Sequence, residues 1–399
     1  MGLGIITKGV GFLPALMFVP ILMLGRRDRQ LISGALTWRC ALGPLAMLAV
    51  VAAWLIPMVL HVNNLGTEES FAYQNNILFK QTGERYADSW GHIQPWHYYL
   101  TSVISVLWFP LPLMLLALLR PVKETIRRHP VILVLLIWVA LVVAFFSISP
   151  GKRGVYLLPA LPMFALAISP ALSIQRPARW FPPVLTGLHL LLAAALITIG
   201  VMAWNDHPTL VEKVPDYSED PARLHEAGTL VICMGLIWLA SIAVFWRTYA
   251  LKRFFVALML SWLLFTTWGY RILEPLRTPR NILAVAEQSV PPNAQLGMVN
   301  FKEQFILFSN LDFTHFSYFS DHEQEERNAW LWMGKTAESY LIVEANDNFQ
   351  CFTKEDAIML GVAHRDRYIL LSDADMKPSC ASPDKLEWFT TQAPGNWQN

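Results

Sequence analysis

Lys152, Arg153 and Tyr156 interrupt the otherwise apolar run from Phe145 to Pro162. Lysine supplies a point charge and arginine a planar fork of N–H donors, a combination suited to a phosphate or pyrophosphate. Charge placed at a membrane surface between two apolar segments ordinarily has an anion to meet. The pair suits equally well a plain role capping a helical hairpin, so the choice between the two rests on the rest of the chain.

Lys8, Arg85 and the neighbouring Tyr86 are further candidates to converge on the same anion, with His92 in support. Taken singly each has a bland reading: Lys8 snorkels, and Arg85 pairs with Glu84 or Asp88 on a solvated loop. His61, His92 and His97 share a stretch with Glu68, Glu69, Glu84 and Asp88, but their spacing fits no metal template and histidine is common at membrane interfaces. The chain has no P-loop, dinucleotide fingerprint or nucleophile elbow, and Glu303 and Asp312 lack a recognisable catalytic spacing. No residue is singled out as the catalytic base.

The elements that must carry these residues follow from composition. Of 399 residues, 54% are hydrophobic and only 15% charged, against roughly 25% charged in soluble domains. This is the composition of an integral membrane protein, and a net charge of +1 gives no global field for nucleic acid. Eight segments are apolar and long enough to cross a bilayer, near 5–24, 38–60, 98–119, 131–149, 155–173, 183–204, 229–246 and 254–270. The first has the look of a secretory signal, with Lys8 ahead of Val10–Leu24, but no small-residue cleavage site follows, so a retained span is predicted.

Orientation follows from the basic residues. Arg26, Arg27, Arg29 and Arg39, then Arg120, Lys123, Arg127 and Arg128, then Arg176 and Arg179, then Arg247, Lys252 and Arg253 fall in one set of loops. The alternate set holds fewer: Lys80, Arg85, Lys152, Arg153, Lys213 and Arg223. The richer set is predicted to be cytoplasmic, which puts the 152–153 hairpin and everything beyond Tyr270 outside. An external loop, 61–97, ends in the aromatic belt Gln94-Pro95-Trp96-His97-Tyr98-Tyr99 and is predicted to lie along the interface.

The fold class predicted is therefore a mainly α integral membrane protein of about eight transmembrane helices, residues 1–270, followed by a small extracytoplasmic α/β domain, residues 271–399. Helical patterning covers 278–289 and 321–334, and strand-like runs cover 294–300, 315–319, 340–344 and 367–371. Cys40 and Cys233 read as small core residues, whereas Cys351 and Cys380, in the polar region, are a candidate disulfide if that region is outside the cytoplasm.

Four stretches carry a family resemblance: Thr7-Lys8-Gly9; Asn76 to Tyr86, reading NILFKQTGERY; His92 to Leu100, reading HIQPWHYYL; and Ser149 to Pro159, which fits the pattern Ser-x-x-Lys-x-x-x-Tyr-Leu-Leu-Pro. Asn300 to Phe305 is a weaker echo. The chain resembles the C-terminal part of GT-C membrane glycosyltransferases, in particular glycosyltransferase family 39 and the aminoarabinose transferases that modify lipid A. The resemblance implies a bacterial inner-membrane enzyme that takes a sugar from a polyprenyl-phosphate donor at the outer leaflet, with inversion, and passes it to a lipid, glycan or protein acceptor.

The same resemblance places the lipid phosphate at Lys8, Arg85, Lys152, Arg153 and Tyr156. It puts the acidic general base in the family's first external loop, which has no matching carboxylate here and is expected upstream of Met1. It leaves open whether a divalent metal takes part. Two other readings stand beside it: a non-catalytic membrane protein that binds polyprenyl phosphate, and a transporter. The transporter is disfavoured by the absence of paired broken helices, of repeated halves and of Asp or Glu within the eight segments.

Overall fold

The computed structural model describes residues 1–25, 42–84, 92–174, 176–213, 221–318, 320–364 and 366–393. The chain divides into two compact units, Met1–Thr186 and Gly187–Asn399.

The first unit opens with α1 (Gly2–Lys8), a 3-10 stretch Val10–Met17 and α2 (Phe18–Gly25). One span was predicted over 5–24. The break comes where Gly9 takes a φ of 70° that glycine adopts at little cost, and Pro14 removes a backbone donor. Next come α3 (Leu42–Leu65) and α4 (Glu68–Asn75), the latter capped by the Thr67 hydroxyl, which accepts the Ser70 N–H at 3.2 Å. A π-helical segment, Asn76–Glu84, follows, so the start of the 61–97 loop is helical.

The predicted span 98–119 is a π-helical segment, Tyr99–Leu107, and α5 (Leu111–Ala117), bent by 87° where Pro110 and Pro112 prevent a continuous ladder. Then come α6 (Leu119–Arg128), α7 (Val131–Ile148), a 3-10 turn Gly154–Leu157 and α8 (Ala160–Ile168). Prolines at 159, 162 and 170 account for the short pieces over 155–173. Trp138 of α7 donates its indole N–H to the Leu13 carbonyl at 2.9 Å, tying α7 to the 3-10 stretch.

α9 (Phe181–Trp204) leads into the second unit, with α10 (Pro221–Val244), α11 (Ala250–Leu264) and α12 (Tyr270–Arg277), the last two joined by the π turn Phe265–Gly269. Among the described residues, five helices are long and apolar enough to cross a membrane, or six if the bent pair at 99–117 counts as one. Helices α9 to α11 are pinned by polar groups. His189 bonds the Trp238 carbonyl at 2.9 Å and Ser241 at 3.1 Å, and Trp238 donates to Ser261 at 2.9 Å.

The C-terminal part is a six-stranded mixed sheet, ordered β4-β5-β3-β1-β2-β6. Its strands are β1 (Gln295–Met298), β2 (Phe313–His315), β3 (Ser339–Glu344), β4 (Ile358–Ala363), β5 (Asp366–Leu371) and β6 (Phe389–Thr391). β1 runs parallel to both β2 and β3, and the other pairings are antiparallel.

The period of two puts alternate residues on opposite faces. Ile342 joins α13 (Arg280–Ser289) through Ile282, Leu283 and Ala286, while Leu341 and Val343 join α14 (His322–Lys335) through Ala329, Trp332 and Met333. Cys351 and Cys380 form a disulfide at the edge of this second core.

Candidate functional site

The hairpin after α7 is braced by a distant segment. Ile93 forms an isolated antiparallel bridge with Gly151. Gln94 donates its N–H to the Pro150 carbonyl at 3.1 Å, and Lys152 donates its N–H to the His92 carbonyl at 2.9 Å. Two stretches that read separately as motifs, 92–100 and 149–159, thus form one piece of structure.

The two cations part company on this brace. Lys152 is only 4% exposed, and its ammonium donates to the carbonyls of Gln94 at 3.0 Å and Ser149 at 2.5 Å. Burial holds its amine below the usual lysine range. Lys152 is thus a tether whose charge is largely spent on the backbone.

Arg153 instead lies exposed, with its guanidinium Nη2 donating to the ring Nε2 of His92, itself exposed at a φ of 56°. One of its five N–H donors is so used, and a guanidinium presents its fork to an anion as a unit.

Aromatic side chains fix the backbone beneath. The hydroxyl of the fully buried Tyr99 donates to the Arg153 carbonyl at 3.4 Å. Tyr156 stacks on Phe146 of α7, with ring centroids 5.3 Å apart and planes 29° apart. Tyr156 therefore braces the hairpin through its ring face.

Of the other candidates, Lys8 is the last residue of α1 and its side chain is outside what is described, while Arg85 and Tyr86 lie outside the described residues altogether. His92 is brought to Arg153. His97 instead turns to Thr101 of the π-helical segment that follows it, at 3.5 Å. Among the described residues no three of His, Cys, Asp and Glu are grouped so as to hold a metal ion.

Gln94 was not singled out from the sequence, because its contribution is a backbone carbonyl and a backbone N–H that any residue there would supply. The proline and aromatic residues beside it, Pro95 and Trp96, were the available signal.

No protein-family model matches the chain. The undecaprenyl phosphate-alpha-4-amino-4-deoxy-L-arabinose arabinosyl transferase of Pseudomonas aeruginosa is 31% identical over 267 residues, 66% of this chain and 44% of that protein. The protein of the same name from Pseudomonas savastanoi pv. phaseolicola is 32% identical over 178 residues, 43% of this chain and 30% of that one. The chain thus spans less than half the length of these curated relatives.

Among solved structures, that of ArnT from Cupriavidus metallidurans bound to undecaprenyl phosphate matches with a TM-score of 0.63 at 18% identity, covering 95% of this chain and 68% of that one. The apo form of the same protein gives 0.60. The chain is a mainly α, multi-pass membrane protein with a small C-terminal α/β region, and in sequence and in fold it resembles the GT-C aminoarabinose transferases over the part of their length that it spans.

Proposed function

We propose that this chain takes part in transferring a sugar from a polyprenyl-phosphate donor to a lipid, glycan or protein acceptor at the outer face of a bacterial inner membrane, and that the 149–156 hairpin meets the donor's phosphate. The observation that carries this reading is the exposed Arg153–His92 pair, presented on a hairpin that the buried Lys152 ties down. The resemblance to proteins named for an undecaprenyl phosphate-linked sugar supplies the donor class.

The chemistry asks for such a group. The acceptor hydroxyl attacks the anomeric carbon, the bond from that carbon to the phosphate oxygen breaks, and the electron pair leaves with the phosphate. A guanidinium in place beforehand stabilises that departing charge without reorganising. The acceptor's proton goes to a base outside this hairpin, and the described residues of the hairpin carry no carboxylate to take it.

The excess of Lys and Arg in the loops opposite to the hairpin's set supports placing the hairpin and residues 271–399 outside the cytoplasm. We read 1–270 as the membrane domain and 271–399 as a separate domain on the acceptor side.

Binding of a polyprenyl phosphate to the full chain in nanodiscs, followed by native mass spectrometry, tests the proposal. Arg153→Ala should weaken binding at least tenfold and Arg153→Lys less. Unchanged binding in Arg153→Ala would remove the hairpin from the donor site. Supplying acceptor and scoring transfer then separates an enzyme from a protein that only holds the lipid.

A further inference from the structure

A cavity of about 280 Å³ opens where β1 and β2 end, lined by Asn300, Phe301, Lys302, Ser317, Tyr318 and Glu325. Ligands of open α/β sheets gather in the crevice outside the carboxyl ends of parallel strands, and β1 and β2 are such a pair. Its walls are two loops leaving those strands and the first turns of α14. Asn300 and Ser317, the turning residues of the two loops, take φ values of 55° and 79°. Such backbone costs energy in a residue with a side chain and persists only where its surroundings enforce it, as they do at ligand sites.

The polar groups narrow what this cavity can accept. Lys302 lines it, but its ammonium is spent elsewhere, on Glu344 at 2.7 Å, Asp366 at 2.9 Å and the Tyr368 hydroxyl at 2.6 Å. Three donors meet three acceptors, so only the aliphatic stem is offered. An anion therefore finds no free cation among these six residues.

Glu325, 6% exposed, accepts the Asn300 N–H at 2.7 Å, and burial pushes its carboxyl up to about 7. One half-neutral carboxyl already holding a backbone N–H is a poor cage for a hard divalent cation, which takes six or more oxygens. What remains is a carboxyl that both donates and accepts near neutral pH, the Asn300 amide, which donates to Asp347 at 3.0 Å, the Ser317 hydroxyl, backbone polar groups and two aromatic rings. Phe301 is half-buried and stacked on His315 at 4.3 Å, and Tyr318 is 58% exposed at the mouth.

We propose that this cavity holds one pyranose ring of the acceptor, its C–H face on Tyr318 and a hydroxyl on Glu325. A hydroxylated ring with an apolar face matches an aromatic wall beside a single directional carboxyl. The volume lies just below that of pockets for drug-sized ligands, which suits a single ring. The choice of the acceptor as source rests on the transfer reaction proposed above, whereas the fit to a pyranose rests on the cavity.

Saturation-transfer NMR on the full chain in nanodiscs, with methyl pyranosides of glucose and glucosamine as probes, tests this. Saturation should reach the ring protons and fall at least threefold in Tyr318→Ala, a change at an exposed side chain, and in Glu325→Leu. No transfer to either pyranoside, or transfer equal in wild type and Tyr318→Ala, overturns the proposal. Polyprenyl phosphate binding, measured in parallel, keeps the two readings apart: its loss with pyranoside contact retained sinks the donor site and leaves this cavity standing.

Discussion

The ammonium of Lys152 reaches across 58 residues to the carbonyl of Gln94. With the backbone bonds at His92 and Pro150, it makes the hairpin and a distant segment into a single support. Arg153, the adjacent residue, gains from this: its position is set by a neighbour whose own charge is turned inward.

Lys152→Met should therefore act on position as well as stability. It leaves the buried Ser149 carbonyl without that donor, at about 1–3 kcal/mol, while the exposed Gln94 can turn to water. The melting temperature of the full chain in detergent should fall by several degrees. Affinity for polyprenyl phosphate should fall as well, though less than in Arg153→Ala. An equal or larger loss than in Arg153→Ala would mean that Lys152 meets the phosphate directly.

Glycines let α9 and α10 approach closely. A Cβ on Gly228 would lie 2.8 Å from the Gly200 carbonyl oxygen and 3.0 Å from the Ala203 Cβ, and one on Gly235 would meet Ile197 at 2.6 Å. In a bilayer such contact substitutes for a hydrophobic drive that lipid removes. Gly228→Val should lower the yield and melting temperature of the folded chain markedly, whereas Leu236→Val, on the exposed side of α10, should change neither. Equal behaviour of the two variants would refute a tight crossing there.

Much of this was legible because pattern and environment agree. β3 and β5 and the two helices of the C-terminal region fell within a residue or two of their predicted places, since alternating or helical periodicity there faces a real core. β4 was not seen: Ile358 and Met359 are exposed at a sheet edge, so their apolar character carries no period. β6 is three residues long and has no pattern to show. The spans over 98–119 and 155–173 read as continuous because hydropathy averages over the prolines that break them.

At the hairpin, residue types alone left Lys152 and Arg153 interchangeable as candidates to meet an anion. What separates Lys152 from Arg153 is the pairing with residues 92–94, a tertiary contact that no local spacing encodes.

The disulfide gives a prediction independent of the site. Cys351 and Cys380 close a loop of 29 residues whose entropy in the unfolded chain is worth about 3–4 kcal/mol in the chain-entropy model. Cys351 is also buried beside Phe352, with its N–H donated to Glu326 at 2.6 Å. The double variant Cys351→Ser with Cys380→Ser should make the C-terminal region markedly more sensitive to proteolysis. Thiol labelling of the unfolded, unreduced protein should tag Cys40 and Cys233 and spare Cys351 and Cys380. Tagging of either would show the bond unformed.

Glu325 sets a pH dependence whose direction follows from its burial. Desolvation raises its carboxyl from 4.5 to about 7, with the nearby Asp321 adding to the rise and the Asn300 N–H opposing it. Below about 4.5 the side chain is neutral in folded and unfolded chains alike and makes no difference. Between 4.5 and 7 the unfolded chain releases its proton while the folded chain keeps it, so stability declines as pH rises, by up to about 3 kcal/mol, and levels off above 7. Glu325→Gln retains an oxygen to accept the Asn300 N–H but has no proton to lose. The variant should match wild type near pH 4.5 and melt several degrees higher above pH 7, with its own melting temperature flatter across that range. Parallel curves for the two proteins from pH 4.5 to 8 would show that Glu325 titrates as an ordinary carboxylate and that the cavity wall it forms is wetter than the packing around it indicates.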